Sequence, residues 1–355
     1  MRNVLTRASA AIDRGVVRWM ERRMAPRRGP KREGERERLL ELARFYGDAT
    51  TEEFFPGPTV PRVSSAPVGD GPHGTHVADL AFGSEYEPFH PDARDAHLRA
   101  SENRTVHARH WTSREARPTI VLLHGWGGGN QWITERTFAV AYWLKHGFDV
   151  AAAVLPYHGP RAAPHAGPGQ WPGANPIRTN EGFGQAIFEL RALAMHLRAR
   201  GATAVGALGM SLGGYTTALW ASVAGPDDAG GLDFAVAMIP AVDFARLYWQ
   251  HGEQHPLRMR AARDGITEDM LADAFRVHAP TTRPARLPRE RLAVVGGRGD
   301  RITGPDQAET LAAHWGVNVQ WFEGGHLAQV GRSDSLRAVR RQLGALALPG
   351  RTYRG

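Results

Sequence analysis

The chain has 355 residues, 42% of them apolar, which is enough for one core domain of about 250 residues with extensions. It contains no cysteine, which excludes a disulfide framework, a thiolate nucleophile and a cysteine-ligated zinc site. No apolar run reaches the roughly 18 residues that a membrane-spanning helix needs, so we expect none. Residues 1–40 carry +7 of the net charge of +8, so the basic character belongs to the N-terminus.

The basic N-terminus is predicted to be an arm, residues 1–34, separate from the rest of the chain. Its apolar residues recur at helical spacing with arginines elsewhere on the helix: Val4, Ala8, Ile12, Val16 and Trp19. A helix of this kind could lie on an anionic membrane surface, and packing against its own domain or a partner, with the arginines in solvent, is the alternative. Residues 26–34, rich in Arg, Gly and Pro, are expected to be a linker.

The arm also bears on location and partners. No apolar core of a secretory signal follows its first arginines, so we predict a cytoplasmic protein, with the arm as the segment that would touch the inner membrane surface. No recognisable nucleic-acid reading module is present, and we expect no nucleic-acid partner. The oligomeric state stays open.

Helix and strand patterns alternate after the arm. Residues 35–46 are predicted to be helical, and the Pro-rich residues 54–72 are predicted to cross the surface without a regular element, so residues 35–74 form a lead-in. Strands are predicted near residues 76–82, 105–111, 119–123, 150–155, 204–208, 235–239, 292–295 and 317–322, and helices near 131–145, 182–200, 212–224 and 270–277. This alternation predicts a mainly parallel sheet in residues 75–350, with helices on both faces and ligands at the carboxyl ends of the strands.

A glycine-rich loop follows the third predicted strand, residues 119–123. It reads His124, Gly125, Trp126 and then three glycines. A phosphate-binding loop would contain Gly-Lys-Ser/Thr or G-x-G-x-x-G, and neither pattern is present. Glycines also allow backbone N–H groups to approach a negatively charged tetrahedral intermediate, and the N–H of Trp126 or Gly127 would be one such donor.

Residues 209–213 read Gly-Met-Ser-Leu-Gly between a predicted strand and a predicted helix. In this context G-x-S-x-G is the nucleophile elbow, a turn so tight that the serine takes a strained backbone conformation. Gly209 and Gly213 meet the need for small neighbours. The pattern predicts Ser211 as a nucleophile, with the N–H of Leu212 as the second donor to the intermediate.

A candidate acid and a candidate base follow the serine. Asp300 lies on a loop after the strand at residues 292–295, and His326 lies after the strand at 317–322. His326 would accept the Ser211 proton, while Asp300 would orient the imidazole and stabilise its charged form. Asp243, which follows the strand at residues 235–239, is a rival for the role of acid.

With these parts in this order, residues 75–345 resemble the α/β-hydrolase superfamily of serine hydrolases. The resemblance implies an α/β-hydrolase fold, a Ser-His-Asp triad, and a cap between the sixth and seventh strands, here at about residues 243–290. A narrower resemblance rests on residues 156–161, Pro-Tyr-His-Gly-Pro-Arg, and on the elbow. It is to the branch named α/β-hydrolase domain-containing protein 18, and it implies cleavage of acyl esters in lipids.

The leading prediction is therefore a serine hydrolase that cleaves carboxylic esters through an acyl-enzyme. Phospholipid, thioester or amide substrates would suit the same triad, and a non-catalytic binding protein of this fold is the alternative from another class. The aromatic and apolar content of two insertions, residues 158–178 with Trp171 and residues 243–290, favours an acyl or aromatic ester as the small-molecule partner. The histidines lack the spacing of a metal site, and neither a metal nor another cofactor is expected.

Two further expectations concern behaviour in solution. Because the arm contains none of the predicted site residues, a chain that starts near residue 35 is expected to hydrolyse small esters as well as the full chain does. Activity is expected to fall on the acid side with an apparent pKa of roughly 6 to 7, as for an ordinary histidine base.

Overall fold

A nine-stranded sheet runs through the centre of the molecule. The structure, a computed structural model, describes residues 2–24, 34–164, 171–251 and 256–346. The strands are β1 (Ser64–Asp70), β2 (His76–Gly83), β3 (Thr105–Thr112), β4 (Thr119–Leu123), β5 (Asp149–Ala153), β6 (Val205–Met210), β7 (Phe234–Met238), β8 (Leu292–Gly297) and β9 (Val319–Phe322).

The sheet has one antiparallel side and one parallel side. Its order is β1-β2-β3-β5-β4-β6-β7-β8-β9, with antiparallel pairing from β1 through β3 to β5 and parallel pairing from β5 to β9. Every residue of β4, β5, β6, β7 and β8 is buried, as expected where helices cover both faces of a parallel sheet. The predicted fold class, a mostly parallel sheet flanked by helices, is confirmed.

The described residues also form the helices, some of which cover the two faces of this sheet. They are α1 (Arg2–Met24), α2 (Glu35–Gly47), α3 (Thr51–Phe54), α4 (Arg94–Arg99), α5 (Gln131–Thr137), α6 (Val140–Lys145), α7 (Pro176–Ala199), α8 (Leu212–Val223), α9 (Phe244–His251), α10 (Pro256–Arg263), α11 (Glu268–Phe275), α12 (Pro305–Trp315) and α13 (Arg332–Ala345). One apolar core includes α7, α8 and α12, and a second includes α6 and α13 on the opposite face. Among the described residues, none of the helices is long and apolar enough to cross a membrane.

The Pro-rich segment at residues 54–72 contains a strand, contrary to the sequence-based prediction. β1 pairs with β2 at the edge of the sheet, and its register shifts between Pro67 and Gly69. All of its residues are exposed, so no alternating apolar pattern marks it. Residues 119–123 are consequently the fourth strand rather than the third, and the expected boundary between residues 74 and 75 falls inside the β1–β2 hairpin.

Two predicted helices have different bounds. The one expected at residues 131–145 is divided into α5 and α6 at Ala139, whose φ is 52°. The indole of buried Trp143 donates to the carbonyl of Phe138 at 3.1 Å, next to this break. The one expected at residues 182–200 begins at Pro176, because the Asn175 side chain caps its first turn.

The predicted cap, residues 243–290, contains three helices, α9, α10 and α11. Buried residues of α9 and α11 pack against Leu39 of α2, so the lead-in helix and the cap share a small apolar core. The helix expected at residues 270–277 is α11, which begins earlier because Thr267 accepts a hydrogen bond from the N–H of Met270.

Candidate active site

Ser211 lies in the tight turn between β6 and α8. Its backbone has φ 58° and ψ −115°, a region that residues other than glycine rarely occupy. The turn is held from both sides, because the Ser211 N–H donates to Met238 O at 3.0 Å and the Ser211 carbonyl accepts from Ala241 N at 3.2 Å. The fold thus keeps the half-buried Ser211 at the carboxyl edge of the parallel strands.

The glycines around Ser211 have a steric reason. A Cβ on Gly209 would collide with the backbone of Gly213, and a Cβ on Gly213 would collide with the carbonyl of Leu123. The elbow therefore packs directly on the end of β4, where the glycine-rich loop begins.

The glycine-rich loop lies against Ser211. A Cβ on Gly125 would be 3.4 Å from Ser211 Cβ and 3.8 Å from its Oγ. The Gly128 N–H donates to Gly125 O at 3.0 Å, and Gly127 has φ 75°, as in a type II turn. Trp126 is the other central residue of this turn, and the turn bond does not use its N–H.

Leu212 is on the other side of Ser211. It is the first residue of α8, so its N–H belongs to the first-turn donors that have no acceptor within the helix. The two candidate N–H donors named from the sequence, at Trp126 and Leu212, therefore come from segments that meet at Ser211.

His124, to which the sequence assigned no role, supports the loop. Its Nε2 accepts from the N–H of Leu155 at 3.1 Å, so its Nδ1 carries the proton and donates to Gly125 O at 2.8 Å. Burial and the neighbouring charges of His158 and Arg161 lower the pKa of His124 to about 3. His124 is therefore neutral, and its hydrogen bonds link the backbone that follows β5 to the glycine loop.

Residues 156–161 contact the same loop. Gly159, with φ 50°, lies so close to Gly129 that a Cβ on Gly129 would be 2.9 Å from the Gly159 nitrogen. Arg161 is buried and pairs with Glu189 at 2.8 Å. It also donates to Val154 O at 2.9 Å and to Asn103 O at 2.7 Å. The motif behind the narrower resemblance thus has a structural role here.

Asp300 and His326 are joined by a hydrogen bond. His326 Nδ1 is 2.8 Å from Asp300 Oδ2, and both side chains are buried. The other Asp300 oxygen accepts from the N–H groups of Ile302 at 2.8 Å and Thr303 at 3.0 Å. They meet because β8 and β9 are neighbouring parallel strands, and each residue lies on the loop that follows one of them.

Burial and charge act in opposite directions on this pair. Burial raises the pKa of Asp300, but the charge of His326 and the hydrogen bonds outweigh it and lower the pKa to about 2. Burial lowers the pKa of His326, but the charge of Asp300, their hydrogen bond and the charge of Asp13 together raise it. Asp300 is therefore ionised, and His326 gains a proton more readily than an ordinary histidine does.

Asp243, the rival acid, is used elsewhere. Its Oδ1 accepts from the N–H of Arg246 at 2.9 Å at the start of α9, as a helix-capping residue does. In the described structure no hydrogen bond joins Asp243 to His326.

The His326 loop reaches the elbow through Gln329, a residue that the sequence did not single out. The Gln329 amide donates to Met210 Sδ at 3.0 Å and to His326 O at 2.9 Å, which links the loop to the residue before Ser211. Within the described residues no hydrogen bond joins Ser211 Oγ to His326. In enzymes without substrate such bonds are often long and tighten when substrate binds.

Helix α1 packs on the domain beside His326, which was the alternative to a membrane-facing arm. Asp13 is fully buried and accepts from the His326 N–H at 2.7 Å. A chain that starts near residue 35 lacks this contact. Val4 and Ile12 of the predicted stripe are exposed, so the buried face of α1 is a different one. The Trp19 side chain and residues 26–33 of the expected linker lie outside the described residues.

Of the two insertions, the first places its aromatic residue in the core. Trp171 is fully buried, stacks edge-on with Phe183 and donates to Thr179 O at 3.0 Å, so it fills the core. Residues 165–170 of the same insertion are outside the described residues. In the cap, Tyr248 of α9 is partly exposed. Nowhere in the described segments do three or more His, Cys, Asp or Glu side chains form a group that could hold a metal ion.

Comparisons of the sequence with known proteins find two relatives. No family model matches the chain. Two proteins of Mycobacterium tuberculosis, uncharacterized proteins MT2702 (strain CDC 1551 / Oshkosh) and Rv2627c (strain H37Rv), are each 29% identical over 219 residues. The match covers 60% of this chain, which spans about half the length of these curated relatives.

Two solved structures are similar over most of the chain. The acetyl xylan esterase from Paenibacillus sp. R4 has a TM-score of 0.56 at 11% identity, covering 89% of this chain and 96% of its own. Acetyl xylan esterase 1 from Thermoanaerobacterium sp. JW/SL YS485 has a TM-score of 0.54 at 14% identity, covering 89% and 95%. At this identity the likeness concerns the fold alone, and the chain has the α/β-hydrolase fold.

Proposed function

We propose that this chain is a serine hydrolase that cleaves carboxylic esters through an acyl-enzyme. The observation that carries the proposal is the strained Ser211 beside the glycine loop, at the same sheet edge as the 2.8 Å Asp300–His326 pair. The strained backbone conformation of a nucleophile elbow exposes the serine hydroxyl to substrate.

Each residue has a defined step in this mechanism. With Nδ1–H bonded to Asp300, His326 has Nε2 available to take the Ser211 proton as the oxygen attacks the ester carbonyl. The N–H groups of Leu212 and of Trp126 or Gly127 would stabilise the tetrahedral oxyanion. His326 then returns the proton to the leaving alcohol, and water repeats the sequence to release the acid.

The two similar structures described above are named as acetyl xylan esterases, and this supports an ester as the substrate. A lipid ester is the second candidate, because large apolar side chains are exposed near both functional loops: Leu327 and Val330 after His326, and Trp132 and Ile133 after the glycine loop. The narrower resemblance at residues 156–161 points the same way. Thioesters and amides would use the same three residues.

A fluorophosphonate probe and a series of p-nitrophenyl esters test the proposal. The probe should label Ser211, and Ser211→Ala should remove labelling and lower ester turnover by about 10³-fold or more. Ser101→Ala, at an exposed serine before β3, is the matched control and should behave like the unchanged chain.

The outcomes separate the alternatives. Turnover that survives Ser211→Ala would refute the serine mechanism, and a chain that neither reacts with the probe nor hydrolyses any ester would be the non-catalytic binding protein. Thioester and phospholipid panels, run beside acyl chains of increasing length, identify the preferred substrate class.

A further inference from the structure

A carboxylate from the N-terminal helix is buried between the loops that carry the candidate acid and base. Asp13 Oδ2 accepts from the N–H groups of His326 at 2.7 Å and Arg301 at 3.1 Å, and Oδ1 accepts from Leu327 at 3.2 Å. A buried carboxylate is stable only when hydrogen bonds replace its water, and these backbone donors do so. Arg301 is adjacent to Asp300, so one side chain joins both loops.

Helix α1 and the two loops have small residues where they meet. A Cβ on Gly325 would lie 2.6 Å from Asp13 Oδ2, and a Cβ on Gly299 would lie 2.8 Å from Thr6 O. Glycine at both positions lets α1 approach the loops closely. On the helix, the buried neighbours Ser9 and Ala10 are also small.

A second bond fixes the helix along its length. The Thr6 hydroxyl donates to Glu323 Oε2 at 3.0 Å, at the start of the loop that carries His326. The face of α1 that contacts these loops, its docking face, therefore carries small and polar side chains. It contacts segments on both sides of the Asp300–His326 bond.

We propose that Asp13 is a positioning residue for the hydrolase site, and that helix α1 completes this site by holding the Asp300 and His326 loops in register. The proposal rests on the proposed function. Backbone bonds at Arg301, His326 and Leu327 leave the side chains of Asp300 and His326 free for their own bond. The charged groups that act on His326 are Asp300, from the loop after β8, and Asp13, from α1.

The test compares Asp13→Asn and Asp13→Ala with Arg14→Ala, which removes an exposed charge from the next position of the same helix. Asp13→Asn keeps the shape of the side chain but replaces one accepting oxygen by an NH₂ group, which cannot accept a hydrogen bond from the backbone N–H groups. We expect both Asp13 variants to lower kcat for p-nitrophenyl acetate by about tenfold or more with a smaller change in KM, since small displacements of a catalytic group are costly. Arg14→Ala should keep wild-type kinetics.

A readout independent of turnover is the titration of the His326 ring by NMR in the full chain. In Asp13→Asn the loss of a nearby negative charge should move this titration to lower pH, and the acid limb of kcat should move with it. Hydrogen exchange of the backbone amides around His326 should become faster in Asp13→Ala.

The proposal is overturned if Asp13→Asn keeps kcat within about twofold and leaves the His326 titration unchanged. A loss confined to Asp13→Ala, accompanied by a lower melting temperature, overturns it too, because that is the result of a purely structural contact. A wild-type chain without turnover or probe labelling would refute the proposed function instead, and the His326 titration would then show whether the contact itself is present.

Discussion

At the scale of single residues, two aspartates follow strands at the functional edge of the sheet and have different partners. Asp300 bonds to His326, whereas Asp243 caps α9. We expect Asp300→Asn to lower kcat by on the order of 10³ to 10⁴, because an amide cannot hold the imidazole in the required tautomer. Asp243→Asn should leave kcat nearly unchanged.

Steady-state kinetics on purified variants decide between the two aspartates, with melting temperatures as the control for folding. Asparagine also caps helices well, so Asp243→Asn should not unfold the chain. A larger loss of kcat in Asp243→Asn would assign the role of acid to Asp243.

The pH profile is set by His326. A base must be neutral to accept the serine proton, and the charges of Asp300 and Asp13 raise the pKa of His326 above its ordinary value of 6.5. A raised pKa keeps the imidazole protonated to higher pH, so kcat/KM for a neutral ester should fall as the pH drops through a value above 6.5. The sequence-based expectation of roughly 6 to 7 took the histidine as unperturbed.

Measurement of kcat/KM across neutral pH with p-nitrophenyl acetate tests this direction. Full activity at pH values well below 6.5, with no inflection, would exclude a histidine base of the kind we propose.

At the scale of elements, helix α1 has two separate faces. Its docking face carries Asp13, and its outer face exposes Val4 (67%) and Ile12 (50%) next to the exposed arginines Arg7, Arg14 and Arg18. The outer face therefore suits an anionic membrane surface, which we keep as a proposal. Removal of residues 1–34 eliminates both faces at once, so we expect the truncated chain to lose ester hydrolysis along with any membrane contact.

A double variant, Val4→Ser with Ile12→Ser, separates the two faces. It should weaken sedimentation with vesicles that contain phosphatidylserine while leaving p-nitrophenyl acetate hydrolysis unchanged, because the docking face is intact. Binding of the unchanged chain should also drop at high salt, as screened attraction does. Equal vesicle binding of variant and wild type would eliminate the membrane role.

At the scale of the whole molecule, the sheet assembles the site from distant parts of the chain. Ser211, Asp300 and His326 follow β6, β8 and β9, whose parallel carboxyl ends lie on one edge of the sheet. The glycine loop follows β4, the direct neighbour of β6. The cap packs on the lead-in helix α2, and α1 packs on the loops after β8 and β9.

The sequence by itself determined the features that depend on local geometry and chain order. The elbow around Ser211 needs glycines at fixed spacing, and parallel strands place the residues that follow them at one edge, so the fold class and the candidate residues could be named without coordinates. The exposed edge strand β1 was missed because it has no apolar alternation, and no pattern in the sequence marked the positive φ of Ala139 that divides α5 from α6.

Only the tertiary structure decided which aspartate bonds to His326, and it alone revealed the roles of His124, Gln329 and Asp13. Asp243 and Asp300 both follow strands, and no local signal distinguishes a helix cap from a partner of histidine. Asp13 precedes His326 by more than 300 positions. Such contacts exist because a buried polar group must be hydrogen-bonded, and its partner can be any residue that the fold brings near it. The spacing of residues in the sequence does not predict which residue that is.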